Sequence, residues 1–146
     1  MSEDLHSLIR KGTAAADQGQ TLVALLHLED AVKLGSTPLL ASYLGYCLAR
    51  ERRQFRKGIT LCQEAIKVEP KQVLHFLNLG RVYVEAGQKT LAIQAFRQGL
   101  RVGRNRLITE QLAILGIRKP PVFNSLPRTH PLNRLAGKFL SRLGVR

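Results

Sequence analysis

The stretch LNLGRVYVEAGQKTLAIQAFRQGL, residues 77–100, decides the architecture. From Leu74 to Val84 apolar side chains recur at Leu74, Leu77, Leu79, Val82, Tyr83 and Val84, a helical pattern with more than one apolar face. A second run follows at Leu91, Ala92, Ile93, Ala95, Phe96 and Leu100. Gly87 stands between the runs, where the chain must reverse and a residue without Cβ takes positive φ at no steric cost. The pattern predicts an antiparallel helix pair. Gly80 and Ala92 are small where the two axes should approach, and Tyr83 and Phe96 should fill the space beside that crossing.

One such pair cannot bury its apolar surface alone, so copies are expected. Ala92, Phe96 and Gly99 recur 34 residues earlier as Gly58, Cys62 and Ala65, and 34 earlier again as Ala24, Leu28 and Ala31. The first-helix glycines Gly12, Gly45 and Gly80 are 33 and 35 apart, which predicts a turn one residue longer in the second copy, within Arg50 to Lys57. Small, large, small at a fixed period, three times over, resembles the tetratricopeptide repeat family, most closely at Leu79, Gly80, Tyr83, Ala92 and Phe96. The resemblance implies an all-α fold, a right-handed α-solenoid of antiparallel helix pairs at about 5–38, 39–72 and 73–104. The chain departs from the family pattern at Lys11, where Leu is expected, at Ala15 and Leu48, where Tyr is expected, and in having Pro70 as the sole proline at an expected repeat end.

In chain order, helices are expected at about 5–18, 21–34, 38–52, 55–68, 71–86 and 89–102, with a capping helix at 105–115 to cover the last face of the stack. Residues 116–131 hold four prolines and read as an extended segment. Residues 132–146 read as a basic amphipathic helix: Leu132, Leu135, Ala136, Phe139, Leu140 and Leu143 make its apolar stripe, and Arg134, Lys138 and Arg142 its basic ridge.

The net charge of +13 is unevenly distributed. Residues 1–50 carry Arg10, Lys11, Lys33 and Arg50 against five carboxylates, whereas after residue 103 Glu110 is the single acid. An acidic partner would therefore be steered toward the C-terminal half. The acidic start, MSEDLHSLIR, lacks the pattern of a secretory signal, and no apolar run approaches the roughly 20 residues that span a bilayer, so a soluble cytoplasmic protein is expected. Cys47 and Cys62 occupy apolar helical positions and read as buried thiols.

Nothing in the sequence has the spacing of a catalytic or metal site. His6, His27, His75 and His130 are scattered, and the glycines belong to no phosphate-binding loop. No enzyme activity, cofactor or metal is expected. In the family, one side of each first helix lines a concave groove that holds peptide segments. The resemblance maps that groove here onto Thr13 and Asp17, then Ser42, Tyr46 and Arg50, then Leu77, Asn78, Arg81 and Glu85, with Ile9 and Leu74 where a carboxylate clamp would place cations. The implied function is a protein-binding adaptor or scaffold, its partner a protein or peptide segment of acidic character, and Tyr46 and Arg81 should be replaceable with loss of capture but not of stability. Tyr46 and Leu77 could instead complete the packing of the repeats. Other readings are electrostatic binding of nucleic acid or anionic membrane by the basic half, a small secretion-type chaperone, and homodimerisation through exposed stack ends.

Overall fold

The computed structural model describes residues 3–116; the proline-rich segment beyond Gly116 and the predicted basic helix with Arg134, Lys138 and Arg142 lie outside them. Seven α-helices and no strand are found among the described residues: α1 Leu5–Asp17, α2 Thr21–Val32, α3 Pro38–Arg52, α4 Phe55–Val68, α5 Val73–Glu85, α6 Lys89–Val102 and α7 Arg106–Ile114. The all-α expectation holds, and each helix falls within two residues of its predicted bounds. The chain divides into two compact units at Asn105. The first contains α1 to α6. In the second, α7 buries Ile108 and Leu112, four residues apart on one face, and pairs Arg106 with Glu110 at 2.7 Å on another.

Local chemistry sets the ends. Asp4 caps α1 by accepting from the Ser7 amide at 2.7 Å, and Thr37 caps α3 by accepting from the Leu40 amide at 3.1 Å, with Pro38 at the first helical position. Between the members of each pair the chain reverses through one residue of positive φ: Gly19 (82°), Arg53 (58°) and Gly87 (74°). These three are spaced by 34 residues, and Gln20, Gln54 and Gln88 follow them as N-caps that make no side-chain cap bond. The period holds through the turns. The extra residue of the second pair lies within the expected range of Arg50 to Lys57 but lengthens the helix and not the turn: α3 runs to 15 residues against 13 in α1 and α5, and the connection after it is one residue shorter than theirs.

Packing follows the small-large-small pattern. α1 lies against α2, α3 against α4 and α5 against α6, while α3 also packs on both α1 and α5. In the outer pairs a large side chain covers the first-helix glycine: Leu28 sits over Gly12, and the Phe96 ring over Gly80, both fully buried. Each such side chain contributes roughly 1.5–3 kcal/mol through its burial. In the middle pair Cys62 is smaller and the helices close further, so that a Cβ on Gly45 would stand 2.8 Å from the Gly58 carbonyl oxygen. Backbone meets backbone there, and neither side can rotate away.

Two glycine substitutions separate crowding from strain. Gly45→Ala should lower unfolding stability by about 1–3 kcal/mol, because the obstructing atom is main chain. Gly19→Ala meets nothing within 4 Å and should cost only the left-handed backbone penalty, about 1–2 kcal/mol. Urea unfolding checks both, and a Gly45→Ala protein with the wild-type midpoint would contradict the close approach.

Candidate functional site

The side chains assigned to the concave face sit on two helices and one helix end. Ser42, Tyr46 and Arg50 follow one another at four-residue steps along α3. Asn78, Arg81 and Glu85 share a face of α5, and Asp17 is the last residue of α1. The structure brings most of them together, but by joining them to one another. The Arg81 guanidinium donates through Nη1 to Asp17 Oδ1 at 2.9 Å and to Asn78 Oδ1 at 3.1 Å. Asn78 Nδ2 donates to Ser42 Oγ at 3.2 Å, Ser42 Oγ lies 2.8 Å from His75 Nδ1, and His75 Nε2 lies 2.7 Å from Glu69 Oε1.

The ends of this row fix the direction of its outer bonds. A carboxylate only accepts, so His75 Nε2 donates to Glu69; the single-proton tautomer that does so accepts at Nδ1 from the Ser42 hydroxyl, which also lies 3.4 Å from the Leu39 carbonyl oxygen. Ser42 Oγ in turn accepts from Asn78, whose carbonyl oxygen is thereby left to accept from Arg81. The row runs from α1 through α5 and α3 to the α4–α5 connection and couples all three helix pairs. Tyr43 joins it at one end, donating its hydroxyl to Asp17 at 3.0 Å. Tyr46 lies beneath it, its ring centroid 4.7 Å from the Arg81 guanidinium carbon and its hydroxyl accepting from Arg50 at 3.2 Å.

Burial divides the nine assigned residues. Ser42, Leu77 and Asn78 are sealed, and Tyr46 and Arg81 are each 6% exposed. Thr13, Asp17 and Glu85 are half-buried and Arg50 is exposed, and these four are what a partner would meet. The Tyr46 hydroxyl first, and then the charge of Glu85, hold Arg50 above the ordinary guanidinium range. The expectation that Tyr46 and Arg81 can be replaced without loss of stability does not survive, since both are interior parts of the network. Sequence reading also treats His75 as isolated. It missed the Ser42–His75–Glu69 row because those residues are brought together by the packing of α3 on α5.

Ser42, His75 and Glu69 have the connectivity of a nucleophile, base and acid, but Ser42 and His75 are wholly buried and no carbonyl carbon can reach Oγ. Their arrangement satisfies hydrogen bonds. Among the described residues no buried side-chain nitrogen or oxygen lacks a partner, and no group of His, Cys, Asp and Glu is arranged to hold a metal. Cys47 and Cys62 are buried thiols. Burial first pushes Cys47 up to about 12 and raises Cys62 as well; Tyr43 is raised by burial and then by the charge of Asp17. No protein-family model matches the chain, and no curated relative matches it.

Arg81→Met removes the donor to a sealed Asn78 oxygen and leaves the Asp17 carboxylate with the Tyr43 hydroxyl alone. Because Asp17 keeps 30% exposure and can recover water, the cost should be about 2–3 kcal/mol, below that of breaking a fully buried pair. A double-mutant cycle with Asp17→Asn should return a coupling above about 0.5 kcal/mol. The thiols predict an alkaline limit. In the unfolded chain they ionise near about 8.5, whereas the folded chain keeps its protons, so the unfolded state binds fewer protons and stability falls as pH rises from there toward 12. Cys47→Ala should make that decline shallower by up to about 1.4 kcal/mol per pH unit, read from urea midpoints across the range.

Proposed function

We propose that α1 to α6 form three tetratricopeptide-like repeats wound as a right-handed solenoid, and that the protein is a non-enzymatic adaptor holding a segment of another protein along the first-helix face. The observation that carries this reading is the row of first helices: α3 packs directly on α1 and on α5, while the second helices touch one another little. Helices close together on one side and splayed on the other curve the stack, with the first helices inside the curve. The 34-residue recurrence of the left-handed turn residue supports the same reading. So does the sealing of Ser42 and His75, which leaves that row no chemistry to perform.

On this reading the face recognises a partner through its rim and not through its floor. Arg50 supplies a charged fork, Glu85 an acceptor of opposite sign and Thr13 a short polar side chain, over a floor held rigid by the buried row. No helix among the described residues is long and apolar enough to cross a membrane. The electrostatic reading keeps one observation in its favour, the excess of Lys and Arg after residue 50. It predicts a steep loss of affinity with salt, which a groove complex would not share.

The test is capture from nuclease-treated lysate at moderate salt, followed by a dissociation constant for the purified partner. Arg50→Glu combined with Thr13→Arg and Glu85→Lys should weaken binding at least about tenfold, equivalent to about 1.4 kcal/mol, with the melting temperature kept. Undiminished binding by the folded variant would remove the concave face from consideration.

A further inference from the structure

Both arginines assigned to the first-helix face already have hydrogen-bond partners. Arg81 is occupied by Asp17 and Asn78, and Arg50 by Tyr46. At the turn between α3 and α4 the situation reverses. A depression of about 670 Å3, within the ~300–1,000 Å3 of ordinary ligand sites, is walled by Arg53, Arg56 and Lys57, with Gln54, Phe55, Ile59, Thr60 and Gln88 completing its lining and no acidic side chain in it. Of the neighbouring side chains, Arg52 makes a bidentate pair with Glu29 at 2.9 and 2.9 Å, and Glu51 accepts from the Thr21 hydroxyl at 2.7 Å. Among the described ion pairs none includes Arg53, Arg56 or Lys57.

The middle repeat is singular at this place. The two other turns use glycine at the left-handed position, Gly19 and Gly87, and only here does a side chain occupy it, Arg53 at φ 58° and ψ 28°. The backbone cost of that choice places a guanidinium 4.7 Å over the Phe55 ring, at the edge of the depression. The positions that Arg56 and Lys57 hold in α4 are Leu22 and Val23 in α2 and Thr90 and Leu91 in α6, so the cations are not part of the repeat pattern. The uncapped amide ends of α4 and α6, at Gln54 and Gln88, border the same space and add partial positive charge.

We propose that this notch is an anion-binding surface that holds a carboxylate- or phosphate-bearing segment of a partner protein. The residues differ from those of the first-helix rim, and the inference stands whether or not that face binds a partner. Two arginine forks match carboxylate and phosphoryl groups alike, and Lys57 adds a point charge to the same lining. A nucleic-acid strand is disfavoured because the Phe55 face is covered by Arg53, leaving no open aromatic surface in the notch for a base to stack on.

The experiment uses the full chain at low salt with four probes: labelled oligoglutamate, a phosphoserine peptide, single-stranded DNA of matched charge, and inorganic phosphate. At least one peptide should bind, and Arg53→Gln/Arg56→Gln/Lys57→Gln should weaken it at least about tenfold, whereas Lys67→Gln/Arg97→Gln/Arg101→Gln, which removes the same charge elsewhere, should change it by less than about twofold. Whether the glutamate or the phosphoserine peptide binds more tightly names the preferred group. Equal losses in the two triple variants, DNA binding as tightly as either peptide, phosphate binding without peptide, or no binding at all would each overturn the proposal. Arg53→Gly gives a second reading. It should raise the melting temperature by relieving the backbone while weakening peptide binding; a lowered melting temperature would show that Arg53 is kept for its contact with Phe55 and would remove it from the site.

Discussion

A guanidinium with 6% of its surface exposed cannot be left without partners, and the interior of this protein is arranged around that of Arg81. Its ion pair with Asp17 joins residues 64 apart in sequence, the end of α1 and the middle of α5, across the intervening α3. Every other polar group in the row answers to it in turn. Asn78 presents its oxygen to Arg81 and hence its amide to Ser42; the Ser42 hydroxyl is left for His75 Nδ1 or the Leu39 carbonyl, and His75 Nε2 donates to Glu69. Within the row every buried side-chain donor and acceptor thus has a partner.

Such a network is weak grounds for a large net stabilisation, because desolvating Arg81 offsets much of what the pair returns. Apolar burial supplies the stability, through Leu28, Phe96, Leu25, Leu77 and Val82, packed where glycine and alanine let helix axes close. The polar row supplies register. An apolar interface between like helices tolerates sliding by a turn, whereas the row closes only when Asp17, Ser42 and Arg81 meet at one level of the stack. It also makes the floor of the first-helix face rigid, which reduces the ordering cost of anything that binds there.

Charge is handled differently on the two sides of the molecule. On the first-helix face the strongest cation is internally neutralised, and Arg50, bonded to Tyr46 and facing Glu85, remains as a partner-accessible fork. At the α3–α4 turn three cations stand together with no acid among them, one held in a backbone conformation that the other two turns reserve for glycine. The excess of basic residues after residue 50 is therefore not uniform in what it can do. Among the described residues Arg52 and Arg81 are paired with carboxylates, whereas Arg53, Arg56 and Lys57 take part in none of the described ion pairs.

The helices, their ends and the packing of small against large were legible in the amino-acid order because they depend on local rules: apolar periodicity, Thr37 before Pro38, and Gly12, Gly45 and Gly80 opposite Leu28, Cys62 and Phe96. These rules act over a few residues, and the 34-residue period repeats them. The fate of the polar side chains was not legible in the same way. Asn78 and Arg81 on a helix look like surface residues until α3 and α1 supply Ser42 and Asp17, and His75 looks isolated until Glu69 and Ser42 close around it. The 34-residue spacing from Gly19 and Gly87 points to Arg53 as the left-handed residue of the second pair, but its side chain hides it from a search for glycine turns. Hydrogen-bond satisfaction of a buried group is set by what packs against it from distant sequence, and so only the tertiary structure decided which charges face inward and which remain available.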